Sequence, residues 1–199
     1  MPNPSAMFDV LAVADAITRQ ESRVQNSDVH LFAYLACLLA VYQGHPASDW
    51  GYFFAGTDLG SPFSPDLVDA LEMAAMMGLV VIEDGRWIKV MPISKDELEL
   101  LRSLESCKWR DPFISAAVST LLNLPAGLVR SAVSEEPNLR PVHRAGSTRR
   151  LLEGVGLDLL YEQFTTLARI LGKDRDLFVP ANVWITYLAQ QATKAGIEK

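Results

Sequence analysis

The sequence contains little of what most catalytic and metal-binding sites are built from. Its 199 residues include two cysteines and three histidines, and Cys37 and Cys107 are not at a spacing typical of metal ligands. It has no Gly-x-x-x-x-Gly-Lys phosphate-binding loop, no His-Glu-x-x-His and no Gly-x-Ser-x-Gly elbow. These absences argue against an NTPase, a zinc protease and a serine hydrolase. We expect no enzymatic activity, no metal ion and no cofactor.

Long apolar runs and an excess of basic residues are also missing. The longest apolar stretch covers residues 31–42, and these 12 residues are too few to span a bilayer. The first residues form neither a basic region nor a long apolar segment, so we expect no secretion signal and predict a cytoplasmic protein. The net charge is −6. An acidic chain argues against a free-standing protein that binds duplex DNA, because such binding depends on neutralising phosphates.

Residues 63–90 predict a helix followed by a tight β-hairpin. Ser64 suits the N-cap position, and Pro65 suits the first helical position. Apolar residues then recur at three- and four-residue spacing until Gly78, which suits the left-handed turn that ends a helix. Two β-rich runs follow, joined at residues 84–85 by the Asp-Gly dipeptide typical of a type I′ turn. A helix, a glycine and a hairpin in this order form the second half of a winged helix-turn-helix.

Most of the remaining sequence predicts helices. The predicted helical ranges are residues 5–19, 28–43, 94–106, 111–122, 125–133, 148–171 and 180–195. In the first of them the spacing places Asp9 and Asp15 on the outer face, and Asp28 is expected to cap the second. Residues 50–55 are rich in aromatic side chains and predict a short strand beside the hairpin. Residues 134–147 contain two prolines and a glycine and predict a long loop.

The predicted fold is therefore mainly α. It consists of a winged helix-turn-helix with a β-hairpin wing, plus a C-terminal helical lobe. We place an N-terminal helix and connector at residues 1–27, the winged-helix domain at 28–91 and a helical domain at 92–199. The two lobes either form separate domains or share one hydrophobic core.

The wing and the helix before it supply candidate partner contacts. A winged helix that reads DNA places this helix in the major groove, yet here the helix carries three acidic residues and no Lys or Arg. That composition argues against DNA reading. Its methionines either fill the core or form an adaptable protein-binding edge, since methionine repacks easily. The candidate partner-binding residues are Arg86, Trp87, Met73, Met76 and Met77.

A basic segment forms a second candidate surface. Between residues 140 and 150 there are four arginines and a histidine but no acidic residue. Clustered arginines can bind phosphates bidentately, so the segment predicts a contact with phosphate, nucleic acid or a protein partner. In the alternative interpretation it is a solvated loop whose arginines pair with Glu153 or other acids. The candidate contact residues are Arg140, His143, Arg144, Arg149 and Arg150.

Three short stretches carry a resemblance to known proteins. Residues 49–54 (Asp-Trp-Gly-Tyr-Phe-Phe), 60–67 (Gly-Ser-Pro-Phe-Ser-Pro-Asp-Leu) and 78–80 (Gly-Leu-Val) resemble a recurring pattern of prokaryotic winged-helix proteins from antitoxin and defence loci. The nearest resemblance is to the small middle component of three-component, Lamassu-type anti-phage systems built around an SMC-like ATPase. The kite subunits of bacterial condensins are a more distant comparison. The resemblance covers about residues 28–91, and it transfers no site residues.

The resemblance implies a non-enzymatic subunit that bridges an SMC-like ATPase and an effector and helps the assembly to engage DNA. With the missing catalytic motifs and an apolar fraction of 49%, it makes a non-catalytic adaptor of a prokaryotic multi-protein complex our first hypothesis. One alternative is a transcriptional regulator that dimerises through the helix at residues 5–19 and binds DNA. The other is an antitoxin that covers the site of a partner toxin. We expect protein partners, DNA contact only through the complex, and no membrane contact.

Overall fold

A computed structural model describes residues 3–20, 24–57, 60–172 and 176–197. Most of these residues are helical, so the prediction of a mainly α fold is confirmed. The elements in chain order are α1 (Pro4–Thr18), β1 (Val24–Gln25), α2 (Asn26–Gln43), a 3₁₀-helix (Ala47–Trp50), β2 (Ala55–Gly56), β3 (Pro62–Phe63), α3 (Pro65–Met76), β4 (Val80–Glu83), β5 (Trp87–Val90), α4 (Ser94–Arg102), α5 (Glu105–Lys108), α6 (Asp111–Asn123), α7 (Ala126–Glu135), α8 (Leu139–Ala145), β6 (Arg149–Arg150), α9 (Gly154–Leu171) and α10 (Phe178–Ile197).

The hairpin forms where the sequence predicts it. Strands β4 and β5 pair antiparallel, with Glu83 opposite Trp87. Asp84 and Gly85 have φ values of 52° and 63°, as a type I′ turn requires at its two central positions. The short strand β1, which the sequence did not predict, pairs antiparallel with the other edge of β5 and gives the sheet order β1-β5-β4.

Helix α3 also follows the prediction, except in the hydrogen bonding of its cap. Pro65 is its first residue, and Gly78 adopts a φ of +71° just beyond its end, where glycine avoids the strain of a side chain. Ser64 is the N-cap residue, as the sequence predicts, but its hydroxyl makes no capping hydrogen bond. Instead the backbone N–H of Ser64 donates a 3.1 Å hydrogen bond to Nδ1 of His30, because α2 packs its histidine against this turn.

The start of α2 differs in detail from the prediction. The helix begins at Asn26, with Gln25 at the N-cap, so Asp28 is not the cap. Asp28 occupies the third helical position and accepts a 2.8 Å hydrogen bond from the backbone N–H of Gln25. This is the carboxylate half of a capping box. Beyond this first turn, α2 is buried on nearly every side.

Helix α1 lies at the centre of the protein and packs against α2, α3, α4 and α6. The prediction that Asp9 and Asp15 face outward is wrong: they are 0% and 8% exposed. Arg110 pairs with Asp9, and Arg19 pairs with Asp15. A buried carboxylate is tolerated when a cation and hydrogen bonds replace its hydration. Arg19 is four residues after Asp15, the spacing of a helical ion pair, whereas the distant partner of Asp9 could not be assigned from α1 alone.

Residues 50–55 and 134–171 depart furthest from the prediction. Trp50 ends a 3₁₀-helix, and the strand that follows is only Ala55–Gly56. This strand pairs with β3 and β6 rather than with the wing. The predicted long loop contains helix α8, and the helix predicted from residue 148 begins at Gly154, after strand β6.

One hydrophobic cluster contains residues of α1, of the predicted winged-helix range and of the helical range that follows it. Helix α2 packs against α6 and α9, and α10 packs against α6 and α7. The two predicted lobes therefore share a core, while the boundaries at residues 27 and 91 stay a prediction. Among the described residues no single helix is long and apolar enough to cross a membrane. The helical segments 105–123 and 126–135 together have the length and apolar composition of a membrane span, but they are bent by 120° relative to each other.

Candidate functional site

A cleft of about 820 Å³ opens between the turn of the β4–β5 hairpin, which the sequence predicts to be a wing, the start of α2 and helix α7. We call it the wing cleft. Its floor is apolar and comes from three helices that also contribute to the core. The apolar floor residues are Leu31 and Phe32 of α2, Leu121 and Leu122 of α6, and Val129 and Val133 of α7.

Basic side chains line the wing cleft from three different elements: Arg86 from the wing turn, Arg130 from α7 and His143 from α8. Arg86 is held in position because its Nε and Nη2 donate hydrogen bonds of 3.1 and 2.8 Å to Oε1 of Gln25. Its guanidinium also lies 5.2 Å from the ring centroid of Trp87, a cation–π contact. The wing thus presents a fixed positive charge at the cleft.

The only acidic residue that lines the described part of the wing cleft is Asp28. Its carboxylate already accepts the capping bond from Gln25. Two arginines and a histidine therefore face one engaged carboxylate, in a chain whose net charge is −6. The cleft brings together Arg86 and His143, which the sequence placed in separate candidate surfaces. Arg130 was missed, since a single arginine on a short helix carries no sequence signal.

The other arginines of the basic segment do not form one patch with His143. Arg140 pairs with Glu135 at 3.2 Å. Arg150 pairs with Glu153 at 2.8 Å and lies 4.8 Å from the ring centroid of Phe53. Arg144 in α8 and Arg149 in β6 are exposed. The segment folds as a helix and a strand, so its arginines point to different neighbours; a role in partner or phosphate contact stays a prediction.

The methionines of α3 divide into one packed side chain and two exposed ones. Met73 is half-buried against the core, as the core interpretation expects. Met76 and Met77 are 74% and 50% exposed at the C-terminal end of the helix. Only these two present apolar surface there to a partner.

Helix α9 carries further exposed apolar side chains. Its packed face includes Leu160 and Phe164, and the Phe164 ring lies between Tyr42 of α2 and Trp184 of α10, at centroid distances of 5.6 and 5.1 Å. On the opposite face lie Val155 and Ile170, each 73% exposed, and Leu159, 44% exposed. At about 100° per residue these three lie within about 60° of one another around the helix. We call them the α9 stripe.

The buried ionisable groups form closed networks. Arg110 donates from Nε to Oδ1 of Asp9 at 2.8 Å and from Nη1 to the carbonyl of Trp50 at 2.7 Å, and its guanidinium lies 3.7 Å from the Trp50 ring centroid. The Tyr52 hydroxyl donates to the same carboxylate. Burial, followed by the charge of Asp9, raises the pKa of Tyr52 well above its ordinary value. The side chains of Arg110 and Asp9 are 1% and 0% exposed, so this network stabilises the fold and cannot meet a substrate.

A second closed network surrounds Glu136, between α7 and α8. Its carboxylate accepts from the backbone N–H groups of Asn138 and Leu139, at 2.9 and 2.8 Å, and from Nδ2 of Asn138 at 2.8 Å. Oδ1 of Asn138 accepts from the backbone N–H of Leu152 at 3.1 Å. Burial raises the pKa of Glu136. The network ties α8 to the segment before α9, and its members are buried away from any cleft large enough for a substrate.

Within the described ranges, no three His, Cys, Asp or Glu side chains lie close enough to hold a metal ion. Comparison of the chain with models of protein families found no match. Comparisons with curated protein sequences and with solved structures found no significant match.

Proposed function

We propose that the chain is a non-catalytic adaptor subunit of a prokaryotic multi-protein complex and that the α9 stripe is its main contact surface. The observation that carries the proposal is the position of this stripe. Val155, Leu159 and Ile170 lie opposite the face that packs on the core. Helix α9 therefore exposes three large apolar side chains on the face that does not pack on the core, together with polar side chains such as Glu162 and Thr166.

Apolar side chains that stay exposed on a helix cost free energy in water. Fully burying a Val, Leu or Ile side chain contributes about 1.5–3 kcal/mol, so several exposed apolar side chains on one helix face favour an interaction site there. In α10, Val183 and Tyr187 are 43% and 44% exposed. They add exposed apolar surface within residues 92–199. A partner that covers the α9 stripe would gain this free energy.

We further infer that α2, α3 and the β4–β5 hairpin form a winged helix. The sheet order β1-β5-β4, with the hairpin directly after α3, supports this inference. On α3, Asp69 and Glu72 are exposed, so the helix would place carboxylates against phosphates if it entered the major groove. This favours a winged helix that binds protein over one that reads DNA.

The sequence resemblance makes an SMC-like ATPase and an effector subunit the partners to test. The absence of an open catalytic constellation in the described residues fits an adaptor, since an adaptor acts by holding other chains together.

The experiment is a tagged pull-down from the native host, analysed by sizing with light scattering. The wild-type chain is expected to recover a large ATPase in stoichiometric amount. A Val155→Asp/Ile170→Asp variant is expected to lose most of it, because two carboxylates in the contact cannot be desolvated without a partner.

The matched control is Leu100→Asp/Leu104→Asp, which places the same charges on exposed apolar positions in α4 and directly before α5. It should retain the partner. Recovery of a lone homodimer that binds its own upstream DNA would contradict the adaptor proposal and favour a transcriptional regulator. Recovery of a single small toxin would favour an antitoxin.

A further inference from the structure

We propose, on the basis of the adaptor function, that the wing cleft binds a short segment of a partner protein in which acidic side chains flank apolar ones. The proposal rests on the pairing of an apolar floor with a basic rim. Six apolar side chains form the floor, and Arg86, Arg130 and His143 stand at its edges. Neither feature alone would specify an occupant.

The floor determines that the occupant carries apolar groups. Leu31, Leu122 and Val133 line the cleft and are only half-buried, so apolar area remains for a ligand to cover. Because apolar side chains offer no hydrogen bonds to water, aliphatic or aromatic groups of a ligand readily displace water from such a surface.

The rim determines the sign of the occupant's charge. The guanidinium of Arg86 supplies a positive charge, and its contacts with Gln25 and Trp87 hold it in place. Arg130 stands on α7, which borders the same cleft, and makes no ion pair within the described residues. Two guanidinium groups on different elements favour carboxylates and exclude a basic segment, since like charges across an interface cost free energy.

The origin of the basic groups and the size of the cleft favour a polypeptide segment over a small anion. The basic groups come from three separate elements: the hairpin turn, α7 and α8. The cleft has a volume of about 820 Å³ and is lined by five separate stretches of chain. A segment with carboxylates at intervals can contact such a rim while its apolar side chains cover the floor.

The test measures fluorescence anisotropy of the full chain with a labelled peptide of alternating glutamate and leucine. A matched peptide carries lysine in place of glutamate. We expect the acidic peptide to bind about tenfold more tightly than the lysine peptide. Added salt should weaken its binding.

Two cleft variants, each with a matched control, separate the effect of charge from the effect of shape. Arg86→Glu/Arg130→Glu should weaken the acidic peptide by about tenfold or more, whereas Lys95→Glu/Arg169→Glu, an equal charge change at exposed sites outside the cleft, should stay within about twofold. Ala126→Trp fills the cleft without changing charge and should also weaken binding, while Ala145→Trp, on the exposed end of α8, should not. Circular dichroism and thermal unfolding verify that each variant folds.

Several results would overturn the proposal: equal binding of both peptides, no binding of either, or equal losses in the cleft variants and their controls. Displacement of the peptide by duplex DNA, with the same dependence on Arg86 and Arg130, would assign the cleft to nucleic acid instead. Concentration-dependent dimers abolished by Ala126→Trp would assign it to a second copy of the chain. A failed peptide test with a partner still recovered in the pull-down rejects only the cleft segment, whereas a wild-type chain that recovers no partner rejects the adaptor function.

Discussion

The guanidinium of Arg110 and the carboxylate of Asp9 form a fully buried ion pair between residues 101 positions apart in the chain. Asp9 lies in the middle of α1, and Arg110 directly precedes α6. Burial disfavours the charge of Arg110, but the pairing with Asp9 outweighs it, so the pKa of Arg110 lies above its ordinary value. The pair joins the first helix to the helical half of the chain.

Breaking this pair should be strongly destabilising. We expect Arg110→Met to lower the free energy of unfolding by about 3–5 kcal/mol, because the Asp9 carboxylate is then buried without its cation. Urea denaturation measures the change. The control is Arg102→Met, whose partners Glu99 and Asp111 are partly exposed and whose loss should cost at most about 1 kcal/mol. Equal effects of the two substitutions would contradict this account of Asp9.

His30 should make stability depend on pH. Burial lowers its pKa to about 4 from 6.5, and its Nδ1 accepts the hydrogen bond from Ser64. Above pH 6.5 the imidazole is neutral in both states and its contribution is complete. As the pH falls from 6.5 to 4 the unfolded chain takes up the proton first, so stability falls by roughly 3 kcal/mol. His30→Asn, which keeps an acceptor, should flatten this part of the curve of unfolding free energy against pH; an unchanged slope would contradict the assignment.

Gly156 should not tolerate a side chain. A Cβ there would lie 2.6 Å from Oδ1 of Asn138 and 3.2 Å from its Cα, so backbone would have to shift. We expect Gly156→Ala to destabilise by about 1–3 kcal/mol. Gly127→Ala is the matched control, since nothing lies within 4 Å of its added Cβ, and it should stabilise by about 0.4–1 kcal/mol. Thermal unfolding measures both changes. A shift of the two unfolding temperatures in the same direction would disprove this account of Gly156.

Glu136 should require both carboxylate oxygens as acceptors. In Glu136→Gln one of them becomes an NH₂ group that faces the amide of Asn138 or the N–H groups at the start of α8. We expect a loss of about 1–3 kcal/mol, the cost of an unsatisfied buried polar group. Amide hydrogen exchange should accelerate in α8 before the rest of the protein. Exchange that stays unchanged in α8 would show that the carboxylate does not hold this helix.

The parts of the fold that the sequence predicts correctly are those with local signals. The hairpin depends on the Asp-Gly turn, and the end of α3 depends on Gly78, which adopts its left-handed conformation without help from the rest of the chain. The helices α6 and α7 follow from apolar periodicity in the same way. Each signal lies within a few residues of the structure it determines.

The errors concern residues whose environment comes from distant parts of the chain. Asp9 looks like a surface residue until Arg110 is placed beside it. Helix α8 forms in a segment with two prolines because the Glu136 carboxylate accepts from the backbone N–H of Leu139 at its start, and Leu139 and Val142 are buried. The wing cleft combines Arg86 with Arg130 and His143, which no spacing in the sequence relates. Such sites require the fold before they can be identified.

The most direct test of the adaptor account is hydrogen exchange of α9 in the assembly purified from the native host, compared with the isolated chain. Backbone amides around Val155, Leu159 and Ile170 should exchange more slowly in the assembly, because a partner covers this face, while those of α4 should exchange equally in both. The same exchange along α9 in the assembly and in the isolated chain would mean that the stripe stays uncovered, and would contradict the proposed function.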